Sequence, residues 1–115
     1  MSQHHYLTEH HQTPVRIVCG WDRPLQYYFM YIEQLDQPKN DGEPRYLYHN
    51  LDDPQVTATP PLEYYLAKLQ TLELTIPTSM ILHLHADRLE NCGNKNVYYT
   101  ADGQWQIDQP PSYRS

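Results

Sequence analysis

The chain has 115 residues, 39% of them apolar, and carries a net charge of −6 when histidines are counted as neutral. This length is typical of one domain that folds without disulfides or a structural metal. The eight Lys and Arg residues are never adjacent, whereas nucleic acids and anionic membranes are bound by several cations together. Direct binding to nucleic acid or to a membrane is therefore disfavoured.

Two further features indicate a cytoplasmic protein. The sequence has no apolar run near the ~18 residues of a membrane span, and it starts without the basic and apolar stretches of a secretory signal. Cys19 and Cys92 are the only cysteines, too few for a disulfide framework and not spaced as a metal knuckle or a redox pair. Because Cys19 lies in an apolar run, we expect it to be a buried free thiol.

Composition divides the chain into three parts. Residues 1–13 are polar and rich in histidine, without hydrophobic periodicity, and predict a flexible tail. Residues 14–108 alternate between apolar segments and turn residues and predict a single α+β domain. Residues 109–115, which include Pro110 and Pro111, predict a second flexible tail.

Three short segments rich in β-branched and aromatic residues predict strands, at residues 15–19, 25–33 and 45–49. Gly, Asp and Pro within residues 20–24 predict that the first two strands form a hairpin. In the second strand, Tyr27, Phe29 and Tyr31 fall on one face and the residues between them on the other.

Two helices and a second hairpin follow. The first helix is predicted from leucines at spacings of three and four after residue 61, with Thr59 as its N-cap. The second helix is predicted to end at Gly93, and Asp102-Gly103 marks a hairpin between residues 97–100 and 105–107. The apolar positions expected to be buried are Leu62, Leu66, Leu69 and Leu72 in the first helix and Met80, Ile81, Leu84 and Leu89 in the second.

The predicted element order is therefore β-β-β-α-α-β-β. Strands that precede and follow a helical pair are typical of a two-layer α+β fold, with a mainly antiparallel sheet and both helices on one face.

Three segments of the predicted domain resemble a family of small bacterial proteins of unknown function. They are residues 20–25 (GWDRPL), 50–54 (NLDDP), and 87–88 (DR) followed by 91–94 (NCGN). The resemblance covers roughly residues 15–100. It implies that these segments belong to a recurring bacterial domain, and it implies no particular activity.

Candidates for metal binding are few, and we expect no cofactor. If the initiator methionine is removed, His4 follows Ser2 and Gln3 in a pattern that suits Cu(II) or Ni(II). A flexible tail offers no preformed site, so a metal site at His4 is not the favoured interpretation. His83 and His85 lie about 200° apart around a helix and cannot share a metal ion.

A polar group of loop and helix-end residues is a second candidate. Carboxylates at a controlled distance perform general acid–base chemistry or bind Mg²⁺, whereas single carboxylates cap turns and pair with Arg. The structural role is favoured, because one sequence does not show that the acids converge. The candidates are Asp22, Arg23, Asp52, Asp53, Asp87 and Arg88.

The eleven tyrosines are the most unusual feature of the composition. Adjacent tyrosines in a strand point to opposite faces, so some are expected on an exposed sheet face, where tyrosine is typical of protein interfaces. The candidate interface residues are Trp21, Tyr28, Tyr46, Tyr48, Tyr98 and Trp105.

The leading functional hypothesis is a non-enzymatic protein-interaction domain, an adaptor or an inhibitor, that binds a protein partner or a second copy through this aromatic face. A small enzyme or ligand binder that uses the loop carboxylates is one alternative. The other is an acidic inhibitor of a nucleic-acid enzyme from a mobile element, which the net charge permits.

Overall fold

The computed structural model describes residues 1–35 and 45–107. Within these ranges the chain forms six strands, two α-helices and one short 3₁₀ turn at Asn50–Asp52. The strands are β1 (Ser2–His10), β2 (Thr13–Asp22), β3 (Tyr27–Gln34), β4 (Arg45–His49), β5 (Lys95–Tyr99) and β6 (Trp105–Ile107), and the helices are α1 (Leu62–Thr71) and α2 (Thr78–Glu90).

All six strands belong to one sheet in the order β4-β3-β2-β1-β5-β6. Strands β1 and β5 are parallel, and every other neighbouring pair is antiparallel. The helices pack against this sheet, which confirms the predicted α+β class and the order of elements from β2 onward. The closing hairpin is also confirmed, with β5 and β6 paired across Gly103, whose φ of +87° suits glycine.

Strand β1 corrects the prediction of a flexible tail at residues 1–13. It occupies the middle of the sheet, between β2 and β5. A two-residue turn joins it to β2, with both His11 and Gln12 at positive φ (50° and 70°), as the tightest hairpin turns require. The prediction was wrong because the strand is polar and its turn lacks Asn or Gly, so neither a hydrophobic period nor a turn signal marks it. The second predicted tail, residues 109–115, lies outside the described residues.

The helix boundaries differ from the predictions in two details. Helix α1 is preceded by Pro61 without a side-chain cap, so Thr59 is not its N-cap. Helix α2 ends at Glu90 rather than at Gly93, and Asn91, the residue that follows it, adopts the left-handed conformation typical of helix ends. Leu89 is 81% exposed and does not belong to the core.

The core lies between the two helices and one face of the sheet. Leu62, Tyr65 and Leu69 of α1 and Met80 and Leu84 of α2 are buried there. The expected apolar positions Leu66, Leu72 and Ile81 are partly buried at its margin.

Tyrosine hydroxyls connect the two layers. The Tyr65 hydroxyl donates to the carbonyl of Tyr28 (3.1 Å), and the Tyr28 hydroxyl donates to the carbonyl of Leu84 (2.9 Å). Because β3 is thereby bonded to both helices, these bonds fix the helices on the same face of the sheet. Cys19 is buried beside them as a free thiol, as predicted, and burial raises its pKa to about 12.

Neither helix of the described residues has the length and apolar character needed to cross a membrane.

Candidate functional site

The sheet face opposite the helices, here called the open face, carries the alternate residues of each strand. Val18, Phe29 and Tyr31 lie on it, because their neighbours in sequence point into the core. His5 and Tyr98 extend it across β1 and β5, since His5 pairs in register with both Val18 and Tyr98. No helix of the described residues packs on this face.

Three rings on the open face form an aromatic cluster, defined here as Tyr31, Tyr46 and His49. The Tyr31 and His49 rings stack with their centroids 5.4 Å apart, and Tyr46 meets both rings edge-on at 5.5 and 4.8 Å. A separate stack joins His5 and Tyr98 at 4.4 Å. Each of these five rings therefore packs against at least one other ring.

A groove of about 290 Å³ adjoins the aromatic cluster. Its walls include Tyr27, Phe29, Tyr31 and Leu51, and Asp22 at the end of β2 also lines it. Asp22 is only 8% exposed, and its Oδ1 accepts a hydrogen bond from the Leu25 N–H (3.1 Å). No ion pair joins this carboxylate to any residue within 1–35 or 45–107. The groove therefore combines aromatic walls with a nearly buried carboxylate.

On the face that the helices cover, a second group of polar side chains links α2 to the parallel strands β1 and β5. Asp87 of α2 is 1% exposed and lies 2.5 Å from Nε2 of His4, which is fully buried. Lys95 donates to the other Asp87 oxygen (2.6 Å), and Ser2 also bonds this carboxylate. Burial by itself raises the pKa of Asp87, but the hydrogen bonds from His4, Lys95 and Ser2 outweigh it and lower the pKa to about 2.

The arrangement continues from His4 to the surface. Nδ1 of His4 lies 2.8 Å from the hydroxyl of Tyr99, and Nδ1 of His83 lies 2.7 Å from the same oxygen. We call Asp87, His4, Tyr99 and His83 the polar network. Burial raises the pKa of Tyr99, and burial, aided by His4 and Lys95, lowers the pKa of His83.

The predicted interface residues divide between the two faces. Tyr46 and Tyr98 lie on the open face. Trp21 and Tyr28 are 5% and 3% exposed in the core beneath the helices, so their assignment to an exposed face was wrong. The side chains of β2 and β3 alternate as expected, but only the position of the helices decides which set is covered.

The two remaining candidates lie at margins of the covered face. The Tyr48 hydroxyl donates to Asp53 (2.7 Å). Trp105 is half-exposed on β6, and its ring meets that of His83 at 4.6 Å.

The six polar loop candidates do not converge. Asp22 lines the groove, Asp87 belongs to the polar network, and Arg88 lines a separate cavity of about 630 Å³ between the start of α1 and the end of α2. Asp53 accepts hydrogen bonds from Tyr64 and Tyr48, which lower its pKa to about 2, while Asp52 is exposed. Among the described residues, Arg23 and Arg88 form no ion pair with an aspartate.

The geometry of His4 argues against the metal site considered for it. Both ring nitrogens are engaged, one with Asp87 and one with Tyr99. The described part of the chain contains no group of three or more His, Cys, Asp or Glu residues suited to a metal ion. His83 is half-buried and His85 is exposed on the same helix, as their angular separation predicted.

The sequence selected only some residues of the two sites. The alternation of β3 had grouped Tyr27, Phe29 and Tyr31, which was a usable signal for the open face. In the polar network, Asp87 and His4 were considered separately, and no sequence signal linked them, because the members come from β1, α2 and β5 and their contacts span up to 95 positions.

Comparison of the chain with protein-family models, with curated proteins and with solved structures finds no match in any of the three. The resemblance of its three segments to a bacterial family therefore stays a prediction.

Proposed function

We propose that this protein is a non-enzymatic interaction domain whose open face binds a protein partner. The groove beside the aromatic cluster accepts a basic side chain, Arg or Lys, of that partner. The observation that carries the proposal is the Asp22 carboxylate, which is nearly buried in an aromatic groove without an ion pair from the described residues.

The physical argument begins with charge. A buried carboxylate without a cation is unfavourable, and a guanidinium or ammonium group supplies both charge and hydrogen bonds. Aromatic faces attract the same cations, with about 0.5–2 kcal/mol for each contact. Tyr27, Phe29 and Tyr31 therefore favour the same side chain as Asp22.

The packed rings and exposed apolar side chains of the open face favour a large contact area with a partner. Tyrosine contributes contact area at a low cost in conformational entropy, and rings that already pack together lose little freedom on binding. Tyr46 is 40% exposed and Leu51 is 77% exposed beside the groove. These residues supply apolar area around the charged centre.

Net charge favours a different protein over a second copy. Two chains of charge −6 repel each other, and the Arg16–Glu33 ion pair (2.6 Å) already neutralises the cation that β2 contributes to this face. The acids are also poorly suited to mimic a nucleic-acid backbone, because Asp53 and Asp87 are bonded to their own neighbours.

The decisive variant is Asp22→Asn. The amide oxygen retains the hydrogen bond to Leu25, while the negative charge is lost. With a C-terminally tagged chain as bait and a lysate of the source organism, a captured partner should be lost with Asp22→Asn and with Tyr31→Ser/Tyr46→Ser. With the purified partner, calorimetry should show at least ~30-fold weaker binding to Asp22→Asn, since truncating one member of a buried charge pair costs about 2–5 kcal/mol.

Two control variants test whether the effect is specific to the open face. Asp102→Asn removes an equal charge from the exposed turn before β6, and Leu82→Ser/Leu89→Ser removes exposed apolar area from α2; both should retain the partner. Partner binding that is unaffected by Asp22→Asn would contradict the proposed groove contact. Sedimentation of the purified chain as a dimer that Tyr31→Ser/Tyr46→Ser dissociates would assign the face to self-association instead.

A further inference from the structure

The direction of hydrogen-bond donation in the polar network follows from the charges at its buried end. Lys95 and Asp87 form an ion pair, so their charges balance without a charge on His4. Ionised Asp87 can only accept, so Nε2 of His4 carries the proton that lies toward it. In neutral His4, Nδ1 is then an acceptor, and the Tyr99 hydroxyl donates to it.

The same reasoning determines the state of His83. Tyr99 has one hydroxyl proton, and this proton is already used toward His4. The Tyr99 oxygen must therefore accept from Nδ1–H of His83 (2.7 Å). Neutral His83 with its proton on Nδ1 has an unprotonated Nε2, and this nitrogen makes no hydrogen bond to another described residue.

We propose that Nε2 of His83 is a base supported by a proton relay, and that the edge between α2 and β6 is a site for a ligand hydroxyl group. The half-exposed Trp105 ring stands against His83 at 4.6 Å and forms one wall of this site. The site is separate from the groove on the open face and does not depend on the interaction proposed there.

The relay conserves protons and charge at each step. A ligand O–H transfers its proton to Nε2 of His83, and the Nδ1 proton of His83 passes to the Tyr99 oxygen. The Tyr99 proton passes to Nδ1 of His4, which becomes an imidazolium ion beside the Asp87 carboxylate. The ligand oxygen is left as an anion that accepts from Nε2–H of His83, and Asp87 and Lys95 keep their charges.

The surroundings of His83 fit this role. Asp87 on its own helix stabilises positive charge, whereas Lys95 of β5 and His4 of β1 oppose it. Tyr99 of β5 and Trp105 of β6 add no charge at neutral pH. Burial and these two opposing groups hold the pKa of His83 below its ordinary value, so the ring is unprotonated and able to accept a proton at neutral pH.

The tautomers of the two histidines test the relay directly. Long-range ¹H–¹⁵N correlation spectra of the wild-type protein at neutral pH should show His83 protonated on Nδ1 and His4 on Nε2. A proton on Nε2 of His83 at neutral pH would overturn the relay.

Tyr99→Phe removes only the central hydroxyl group. In this variant the His83 proton should move to Nε2, because Nδ1 no longer has the Tyr99 oxygen as its acceptor. Tyr98→Phe is the matched control, because the neighbouring tyrosine lies on the open face. An unchanged His83 tautomer in folded Tyr99→Phe would contradict the mechanism, and the wild-type spectra decide the question if this variant does not fold.

Diethyl pyrocarbonate probes the basic nitrogen itself. The reagent is attacked at a carbonyl carbon by an unprotonated ring nitrogen, which forms an N–C bond and expels ethyl carbonate. We expect His83 to be modified faster than the more exposed His85, and the ratio of the two rates to fall at least ~10-fold in Tyr99→Phe. The assignment of His83 as an activated base would be overturned if wild-type His83 reacted more slowly than His85 and Tyr99→Phe did not change the ratio of the two rates.

Discussion

Tyr28 and Tyr31 lie three residues apart on β3 but serve opposite faces of the sheet. Tyr28 is 3% exposed, its hydroxyl is bonded to the carbonyl of Leu84, and burial raises its pKa to about 12. Tyr31 is half-buried, and its ring packs against Tyr46 and His49 on the open face. The same residue type therefore connects sheet and helices on one face and forms part of the aromatic cluster on the other.

The two faces also differ in the partners that surround a buried carboxylate. Asp87, beneath the helices, is surrounded by His4, Lys95 and Ser2. Asp22, at the groove, has one backbone donor and no ion pair within the described residues. A satisfied carboxylate stabilises a fold, whereas one without a cation favours a ligand that supplies it. This contrast separates a carboxylate that maintains the structure, Asp87, from one that is proposed to bind a partner, Asp22.

The largest effect is expected from Asp87→Ala on the covered face. Removal of this carboxylate leaves His4 and Lys95 without their partner, and breaking a buried ion pair in this way costs about 3–5 kcal/mol. Urea unfolding should measure this loss in the free energy of unfolding. The control Glu90→Ala alters an exposed acid of the same helix and should change stability by less than about 0.5 kcal/mol. Equal losses in the two variants would refute the structural role of the network.

Gly20→Ala tests a position that has no room for a side chain. A Cβ atom at Gly20 would overlap the carbonyl oxygen of Ser2 and lie 2.9 Å from the Phe29 ring. We expect a loss of about 1–3 kcal/mol, since backbone must move to relieve such overpacking. At Gly93 the nearest atom is 3.4 Å away, so thermal unfolding of Gly93→Ala should stay close to wild type.

A smaller effect is expected from protonation of Asp87, because the protonated acid still fills its site. The folded pKa of about 2 lies below the ordinary value of 3.8, so the carboxylate contributes stability above about pH 4 and loses it as the pH falls toward 2. Asp53 titrates in the same window. The difference in unfolding free energy between wild type and Asp87→Asn should therefore shrink from pH 4 to pH 2, which isolates Asp87. A constant difference would argue against a lowered pKa.

The smallest effect on stability is expected from Tyr46→Ser on the open face. Ring pairs across strands contribute about 0.2–1 kcal/mol each, and Tyr46 is already 40% exposed. Tyr28→Ser, on the covered face, should cost about 3–5 kcal/mol, as for other large core truncations. Chemical unfolding measures both losses in the free energy of unfolding. A comparable loss in both variants would mean that the open face also contributes substantially to stability.

Much of the architecture was predictable from local patterns. The β-branched run at residues 15–19, the leucine spacing of α1 and the Asp102-Gly103 turn each depend on neighbouring residues, and each is confirmed. Strand β1 was not predictable in this way, because its burial depends on bonds from His4 to Asp87 and Tyr99 rather than on apolar side chains. For the candidate sites, Asp22, Asp87, Tyr46, Tyr98 and Trp105 were selected from sequence, but Tyr31, His49 and His83 gained their roles only from their neighbours in space.

The sequence by itself determined the class of fold, the succession of elements from residue 14 onward and the alternation of side chains along β2 and β3, since these follow from periods of two and 3.6 residues. Only the tertiary structure decided which face the helices cover, and with it whether Tyr28 or Tyr31 is exposed. It also decided that a histidine-rich segment becomes a central strand. The physical reason is the same in both cases: burial and hydrogen bonding depend on residues far apart in the chain, which local patterns do not encode.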